Sequence, residues 1–273
     1  MLKTLTLTSL LVAAGAACAA EEGFHVYEYP GYVGLDRIPG TAYTVHQKDR
    51  PQARRVIPGA VADCRVAAPS DAEVLFDGGS LERFRDNAWV VVDGVLRATR
   101  GGLVTKNSYG DCQLHVEWRT PNPPSGSPAN MGNSGIFLMG LYELQIYDSY
   151  SSKIYADGSA AAIYGQTPPL VNACRKPGEW QSYDVIFRAP VFRDGRLVEP
   201  ARITVLHNGV LVHLDTEILG PTTHRKFTPY RPHPARLPIV FQAHKSPVEF
   251  RNIWVRDLDE ADGEAGEMSG YEA

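Results

Sequence analysis

The amino-acid sequence predicts an all-β protein built as a sandwich or a barrel. About ten to twelve short segments alternate apolar and polar residues or form short apolar runs, which is the pattern of strands. The 273 residues include 25 Gly and 20 Pro, the residues that favour turns. No segment long enough to form a helix has its apolar residues at the spacing of an amphipathic helix. We therefore expect residues 73 to 258 to form one β domain.

The two ends of the chain differ from this domain. Residues 1 to 20 carry Lys3 near the start, an apolar core over Leu5–Ala14 and small residues at the end, the order of a secretory signal peptide. The sequence therefore predicts a protein that is periplasmic or secreted after cleavage. Residues 259 to 273 contain acidic residues and no Lys or Arg, which predicts a mobile, solvated tail.

Residues 21 to 72 predict an extended N-terminal arm. They are rich in Tyr, Pro, Gly and Arg without a clear period. Four tyrosines in a short span indicate an arm that packs its rings on a neighbouring surface, and a disordered linker is the alternative. These tyrosines are Tyr27, Tyr29, Tyr32 and Tyr43.

Charge and cysteine content exclude several classes of protein. The formal net charge is −4 and no basic stripe is visible, so nucleic acid is not expected as a partner. Outside the signal peptide no apolar run approaches the length of a membrane span. Cys64, Cys112 and Cys174 match no zinc ribbon or redox pair, so one disulfide with a free thiol and three buried thiols are both open.

The strands before residue 130 are bounded by turn signals such as Asp77-Gly78-Gly79 and Asp93-Gly94. In the last of them His115 and Glu117 share one face, which is either a solvated sheet surface or the floor of a groove. The predicted strands are Val74–Phe76, Trp89–Val92, Val95–Leu96, Leu103–Thr105 and Cys112–Arg119.

The central stretch, residues 133 to 150, reads as two strands joined at Gly140. In the second strand Glu143, Gln145 and Tyr147 alternate with apolar residues, so a carboxylate, an amide and a phenol share one face. Carboxylates and amides bind hydroxyl groups, and a Tyr ring covers the apolar face of a pyranose, so this row suits a sugar. The alternative is an ordinary half-exposed strand with a polar outer face.

Two long irregular segments, residues 120 to 132 and 151 to 181, flank this stretch and are predicted to form the walls of a site. Later in the chain Asn208-Gly209 gives the strongest hairpin signal. The remaining predicted strands are Gln181–Arg188, Ala201–His207, Val210–His213, Ile239–His244 and Glu249–Arg256.

Several long strings carry a resemblance to a known family. LFDGGSLERF, YGDCQLHVEWRTP, GNSGIFLMGLYELQIYDSY, IYGQTPPLVNACRKPGEWQSYDVIF and PVEFRNIWVRDL, in this order, closely resemble the 3-keto-disaccharide hydrolase family. The resemblance runs from about Leu75 to Leu258. It implies a concanavalin-A-like jelly roll of two curved antiparallel sheets, export, and action on saccharides or oxidised saccharides, with 3-keto-glycosides as substrates. Similar sequences tend to read Leu-Gln-Asp-His-Gly before the last strand, where this chain has Ala243 in place of the Asp.

The chemistry that the resemblance implies needs a base, an enolate stabiliser and an acid. A keto group at carbon 3 acidifies the hydrogen on carbon 2, and its removal lets the glycosidic oxygen leave carbon 1 by elimination. Addition of water completes a net hydrolysis. We expect Glu143 or His244 to be the base, with Glu117 and His115 as second choices. Arg251 or a divalent metal ion would hold the enolate oxygen.

The other expected site residues are polar groups near strand ends. A lone His before a hairpin turn is more often structural, and Arg251 could equally pair with an acid across the sheet. Asp148 joins the site only if the strand bulges at Tyr147. The expected substrate-binding residues are Asn133, Gln145, Tyr147, Asp148, Tyr164, His207, Arg251 and His115. A metal ion, if bound, is expected on Glu143, Asp148, His207 and His244.

Two other functions stay open from the sequence. ELQIYD resembles the E-x-D-x-x-E signature of laminarinase-like retaining glycosidases on the same fold, although Gln145 and Asp148 break it. A non-catalytic carbohydrate-binding module would need an aromatic groove and no base. The substrate separates these functions, because elimination needs an oxidised sugar, a glycosidase accepts an unoxidised one, and a binding module converts neither.

Overall fold

The computed structural model describes residues 27–60, 66–124 and 126–258. The expected signal peptide, the expected acidic tail and Cys64 lie outside these residues. Within them the only helices are two short 3-10 turns, Pro128–Asn130 and Ala156–Gly158. The strands are β1 (Tyr27–Glu28), β2 (Arg54–Arg55), β3 (Glu73–Phe76), β4 (Val90–Val92), β5 (Val95–Arg97), β6 (Gly102–Val104), β7 (Cys112–Arg119), β8 (Ser134–Leu138), β9 (Tyr142–Ile146), β10 (Ser152–Lys153), β11 (Val171–Asn172), β12 (Gln181–Arg188), β13 (Val191–Arg193), β14 (Arg196–Glu199), β15 (Arg202–His207), β16 (Val210–Glu217), β17 (Val240–Gln242) and β18 (Glu249–Asp257).

Two antiparallel sheets form a sandwich. The larger sheet has the strand order β16-β15-β12-β7-β18-β5-β4, and β3 also pairs with β18. The smaller sheet has the order β6-β17-β8-β9. One continuous apolar core joins them, with Leu114 and Val116 from the larger sheet and Ile136, Leu144 and Phe241 from the smaller one. The predicted all-β fold, a sandwich of two antiparallel sheets, is confirmed.

The hairpin of β8 and β9 sets the two faces of the smaller sheet. Its turn contains Met139 and Gly140, both with positive φ, and its register pairs Phe137 with Glu143. Leu144 belongs to the sandwich core. Because side chains alternate along a strand, Glu143 projects from the opposite face, away from the larger sheet.

The arm that precedes the sandwich docks on the loop after β9. The short strand β1 pairs in parallel with β10, and β2 pairs in parallel with β11. The rings of Tyr29 and Tyr32 lie 6.1 and 6.0 Å from the ring of Tyr155. Tyr43 packs 4.7 Å below the guanidinium of Arg50, whereas Tyr27 leaves 41% of its surface exposed.

Some details of the sequence prediction change. The hairpin of β13 and β14 was not predicted, although it turns at Asp194-Gly195, both with positive φ. The predicted strand Ile239–His244 ends at Gln242 because its partner β6 begins at Gly102, so His244 lies in the following loop. Cys112 and Cys174 are both buried. Among the described residues no helix has the length and apolar character needed to cross a membrane.

The predicted hairpin at Asn208-Gly209 offers a test of the fold. Asn208 has φ +54°, its Oδ1 accepts the Ser182 N–H at 3.0 Å, and its Nδ2 donates to the Ala173 carbonyl at 2.9 Å. We expect Asn208→Ala to lower the free energy of unfolding by about 2 kcal/mol, since it adds left-handed strain and removes both bonds. Urea denaturation measures the change.

Asp194→Ala is the matched control, because Asp194 has φ +49° but sits on the exposed β13–β14 turn. This variant should lower the free energy of unfolding by about 1 kcal/mol, because it adds only the strain of the left-handed backbone conformation. Equal losses in the two variants would show that the Asn208 side-chain bonds contribute nothing.

Candidate active site

A cavity of about 510 Å³ lies over the outer face of β8 and β9. Its volume falls in the range of pockets that hold a small organic ligand, roughly 300–1,000 Å³. Strands of the smaller sheet form its floor, and loops and the arm form its walls. It is lined by Tyr29, Tyr32, Ala129, Asn130, Asn133, Phe137, Glu143, Gln145, Tyr155, Tyr164, Thr222, Thr223, His224, Gln242, His244 and Lys245.

Glu143 occupies the floor because its neighbours leave space for it. Gly135 stands beside it on β8, opposite Gln145, and a Cβ atom at Gly135 would overlap the Glu143 carboxyl. The backbone N–H of Glu143 donates to Thr222 Oγ1 at 3.0 Å, which ties β9 to a cavity loop. The side chain is 6% exposed and still reaches the cavity. The carboxyl is therefore held in a fixed place with little water around it.

The proton affinities of the cavity groups differ from their ordinary values. Burial raises the pKa of the Glu143 carboxyl to about 8. Burial lowers the pKa of His224 and of His244, and the positive charge of Lys245 lowers that of His244 further. Near neutral pH the site therefore holds a carboxyl that can give or take a proton and two neutral imidazoles.

Tyr164 forms the wall next to Glu143. Its backbone N–H donates to the Glu143 carbonyl at 3.1 Å. Its hydroxyl shares hydrogen bonds of 2.9 Å with Tyr155 Oη and with His224 Nδ1, and its ring stacks with the His224 ring. Burial raises the pKa of the Tyr164 phenol, so it stays neutral and can donate a hydrogen bond to a bound ligand.

The structure brings together five of the expected site residues. All five line the cavity, although they come from β9 and three separate loops, while the remaining candidates lie elsewhere. The five are Asn133, Glu143, Gln145, Tyr164 and His244.

Three expected site residues lie instead in the larger sheet. His115 and Glu117 are fully buried rather than exposed on a polar face, and Arg251 is nearly so. The Arg251 Nε donates to Glu117 at 2.5 Å, and a bulge in β18 lets Asn252 donate to the same carboxylate at 2.8 Å. Arg251 thus pairs with an acid across the sheet and does not reach the cavity.

Hydrogen bonds and ion pairs determine the protonation states of Glu117 and His115. Burial opposes ionisation of Glu117, but its bonds to His115, Asn252 and Arg251 outweigh burial and lower its pKa to about 2. Burial also lowers the pKa of His115, but its bonds to Asp184 and Glu117 outweigh that effect and raise it to about 8. Groups held in this way stabilise the sheet and do not face the cavity.

Three further candidates are enclosed by structural contacts. Tyr147 is fully buried, and its hydroxyl bonds to Ser152 Oγ at 2.7 Å and to a backbone carbonyl. Asp148 follows the end of β9 and accepts the N–H groups of Tyr150 and Ser151. His207 is buried, bonds to Gln181 at 2.9 Å and is neutral, because burial lowers its pKa to about 3.

The expected metal ligands do not converge. Glu143 and His244 line the cavity, whereas Asp148 and His207 are held in the contacts just described. Among the described residues there is no group of three or more His, Cys, Asp or Glu side chains that could hold a metal ion. The described residues around the cavity therefore do not fit a metal ion.

Sequence reasoning missed several lining residues. Thr222, Thr223 and His224 follow Gly220-Pro221, in a loop that has no strand pattern. Tyr155 lies in an irregular segment where no period marks it. A signal was present for Gln242 and Lys245, which lie close to the expected His244, and for Tyr155, which falls within the predicted wall segment 151 to 181.

Comparison with known proteins identifies related chains. The family model of the 3-keto-alpha-glucoside-1,2-lyase-like domain matches residues 71–256. The crystal structure of a candidate glycosyl hydrolase from Parabacteroides distasonis ATCC 8503 is 38% identical, covers 84% of this chain and 100% of its own, and has a TM-score of 0.69. A second candidate glycosyl hydrolase from that organism is 18% identical, covers 71% of this chain and 99% of its own, and shares the fold with a TM-score of 0.51. No curated protein matches.

The space beside Gly135 provides a test of the site. We expect Gly135→Ala to push the Glu143 carboxyl from its position and to reduce ligand binding or turnover at least tenfold. The cost in stability should be about 1–3 kcal/mol, as for other overpacked sites. Ligand titration and thermal unfolding measure the two effects.

Gly59→Ala is the control, because a Cβ atom there would meet open space. It should change neither quantity. A Gly135→Ala protein that binds and reacts as the wild type does would show that the position of Glu143 is not constrained in this way.

Proposed function

The chain belongs to the 3-keto-alpha-glucoside-1,2-lyase-like family, and from this premise we propose that it cleaves 3-keto-glycosides by elimination. The family and the glycosyl hydrolase neighbour at 38% identity indicate a carbohydrate-active enzyme. The oxidised substrate and the elimination route are the proposal. Export is also part of it, because residues 1 to 20 have the pattern of a signal peptide.

The observation that carries the proposal is that Glu143 is a buried carboxyl in the cavity with a raised pKa. Among the described residues that line the cavity it is the one carboxylate, and burial raises its pKa to about 8. A retaining or inverting glycosidase needs two carboxylates across the scissile bond. Elimination from a 3-keto sugar needs one base near carbon 2, and a base with a pKa near the working pH suits this task.

The proposed reaction moves one proton and one leaving group. The Glu143 carboxylate takes the proton from carbon 2, and the electrons of that bond form an enolate with the carbonyl at carbon 3. The enolate then expels the glycosidic oxygen from carbon 1 and leaves a double bond between carbons 1 and 2. Addition of water to carbon 1, with return of a proton to carbon 2, gives the free 3-keto sugar and completes a net hydrolysis.

Neutral polar groups around Glu143 can serve the other roles. Gln145, Asn133 and Tyr164 line the same cavity and are hydrogen-bond donors for a developing enolate oxygen. The protonated Glu143 then holds the proton that the departing alkoxide needs, and the neutral His224 and His244 at the rim can relay it, accepting on one ring nitrogen and releasing from the other. Of the two expected bases, Glu143 is favoured because it lies in the floor, whereas His244 is an exposed loop residue.

The decisive experiment compares a 3-keto-glucoside with its parent glucoside. We expect the wild type to convert only the keto sugar, and Glu143→Gln to lose at least about a hundredfold in turnover. The control Glu179→Gln, an exposed carboxylate outside the cavity, should keep full activity. In deuterated water the product should carry deuterium at carbon 2.

Other results would select another function. Equal cleavage of the parent glucoside would indicate a glycosidase. Binding of either sugar without turnover would indicate a carbohydrate-binding module. Turnover of the keto sugar by Glu143→Gln at nearly the wild-type rate would remove Glu143 as the base.

The raised pKa of Glu143 predicts a pH dependence of activity and stability. As a base Glu143 must be ionised, so kcat/KM should rise with pH and level off above about 8. Since its pKa in the unfolded chain is near 4.5, its ionisation destabilises the fold progressively between pH 4.5 and 8. Glu143→Gln should therefore match the wild type at pH 4 and exceed its stability at pH 9, by at most about 5 kcal/mol.

Rate profiles and denaturation at a series of pH values measure both effects. A rate that falls with a midpoint near pH 8 would assign Glu143 as a proton donor instead. A stability difference that does not change with pH would contradict the raised pKa.

A further inference from the structure

The wall of the cavity continues beyond Tyr164 as a row of tyrosine rings. Tyr164 lies next to Glu143, Tyr155 contacts Tyr164 through a hydroxyl bond of 2.9 Å, and Tyr29 and Tyr32 pack around Tyr155. In this order of contacts the two arm tyrosines are the ones farthest from the carboxyl. A sugar ring placed for reaction at Glu143 would lie against Tyr164 and leave the arm tyrosines free for another part of the ligand.

The arm is fastened so that these two rings are held in place. The backbone N–H of Tyr29 donates to the Lys153 carbonyl at 2.7 Å, and the N–H of His46 donates to the buried Asp157 carboxylate at 2.9 Å. The Tyr29 and Tyr32 hydroxyls share a bond of 2.7 Å. Arg225 lies over the Tyr32 ring at 4.2 Å and donates to its hydroxyl at 2.8 Å. A ligand would therefore meet a rigid surface and lose little entropy in ordering it.

The arm lies outside the residues that the family model matches. The family model begins at residue 71, whereas Tyr29 and Tyr32 lie about forty residues earlier and still line the cavity. The other arm tyrosines do not line it, because Tyr43 packs under Arg50 and Tyr27 faces solvent. The shared domain supplies Glu143, and the arm adds a second surface to the same cavity.

We propose that Tyr29 and Tyr32 form the subsite that recognises the ring of the leaving group, so that these two arm side chains determine how strongly a ring is preferred there. This inference rests on the proposed function, and it deepens it by naming the residues that recognise the leaving group. The cavity of about 510 Å³ has room for a group beyond the oxidised ring. Both tyrosines are partly exposed, and a phenol ring covers the apolar face of a sugar while its hydroxyl bonds to sugar hydroxyls.

The test compares two 3-keto-glucosides, one with a methyl leaving group and one with a glucosyl leaving group. We expect the double variant Tyr29→Ala, Tyr32→Ala to lose about tenfold or more in kcat/KM on the glucosyl substrate. The loss on the methyl substrate should be several-fold smaller than the loss on the glucosyl substrate, and thermal unfolding shows whether the variant is folded. Tyr27→Ala, which removes an exposed tyrosine from the same arm, is the matched control and should leave both rates unchanged.

Binding separates this inference from the proposed function. In a Glu143→Gln background, loss of the two tyrosines should raise the Kd of the glucosyl ligand about tenfold and leave that of the methyl ligand unchanged. Equal losses on both ligands, or none, would overturn the subsite. If the wild type converts neither substrate, the proposed function fails, and these Kd values still decide whether the arm binds the second ring.

Discussion

The removal of the Glu143 carboxyl from water is the constraint on which the site depends. The group is 6% exposed, and burial raises its pKa to about 8. It stays there because the next residue along β9, Leu144, is locked into the sandwich core. A slip of one residue would turn Glu143 into that core and Leu144 into the cavity, at a large cost in free energy. The core of the sandwich therefore fixes the reactive group through strand register.

A second buried glutamate shows what pairing does to the same chemistry. Glu117 is also enclosed, but Arg251 and Asn252 bond to its two oxygens, and its pKa falls to about 2. A carboxylate held in that way is ionised at every physiological pH and cannot exchange a proton at neutral pH. At Glu143 burial is the cause of the raised pKa, and among the described residues no positive charge offsets it. The difference between a stabilising and a reactive carboxyl thus comes from the partners, since both groups are buried.

Sequence reasoning succeeded where local pattern decides the structure. Alternation placed Glu143 and Gln145 on one face of a strand, and turn residues located the hairpin at Asn208. The same alternation in β7 predicts a solvated surface or a groove floor for the face of Glu117, because the pattern cannot show that a later bulge in β18 and the Val66 backbone cover that face. His224 carried no local signal, since only the path of its loop brings it to Tyr164. Contacts between distant segments are what a single sequence does not contain.

The chemistry and the specificity of the cavity are supported by different elements. The segments near the reactive group are tied to one another: Thr222 Oγ1 of a cavity loop accepts the Glu143 N–H, and within the floor Ser134 Oγ of β8 donates to the Gln242 carbonyl of β17 at 2.6 Å. The arm instead meets the loop beyond β9 through the two-residue pairing of β1 with β10. Because the arm shares no sheet with β9, its tyrosines can change without altering the register that holds Glu143. The smaller sheet holds the reactive carboxyl in position, and the residues of the arm can change independently of it. The same reaction can therefore act on leaving groups of different shape.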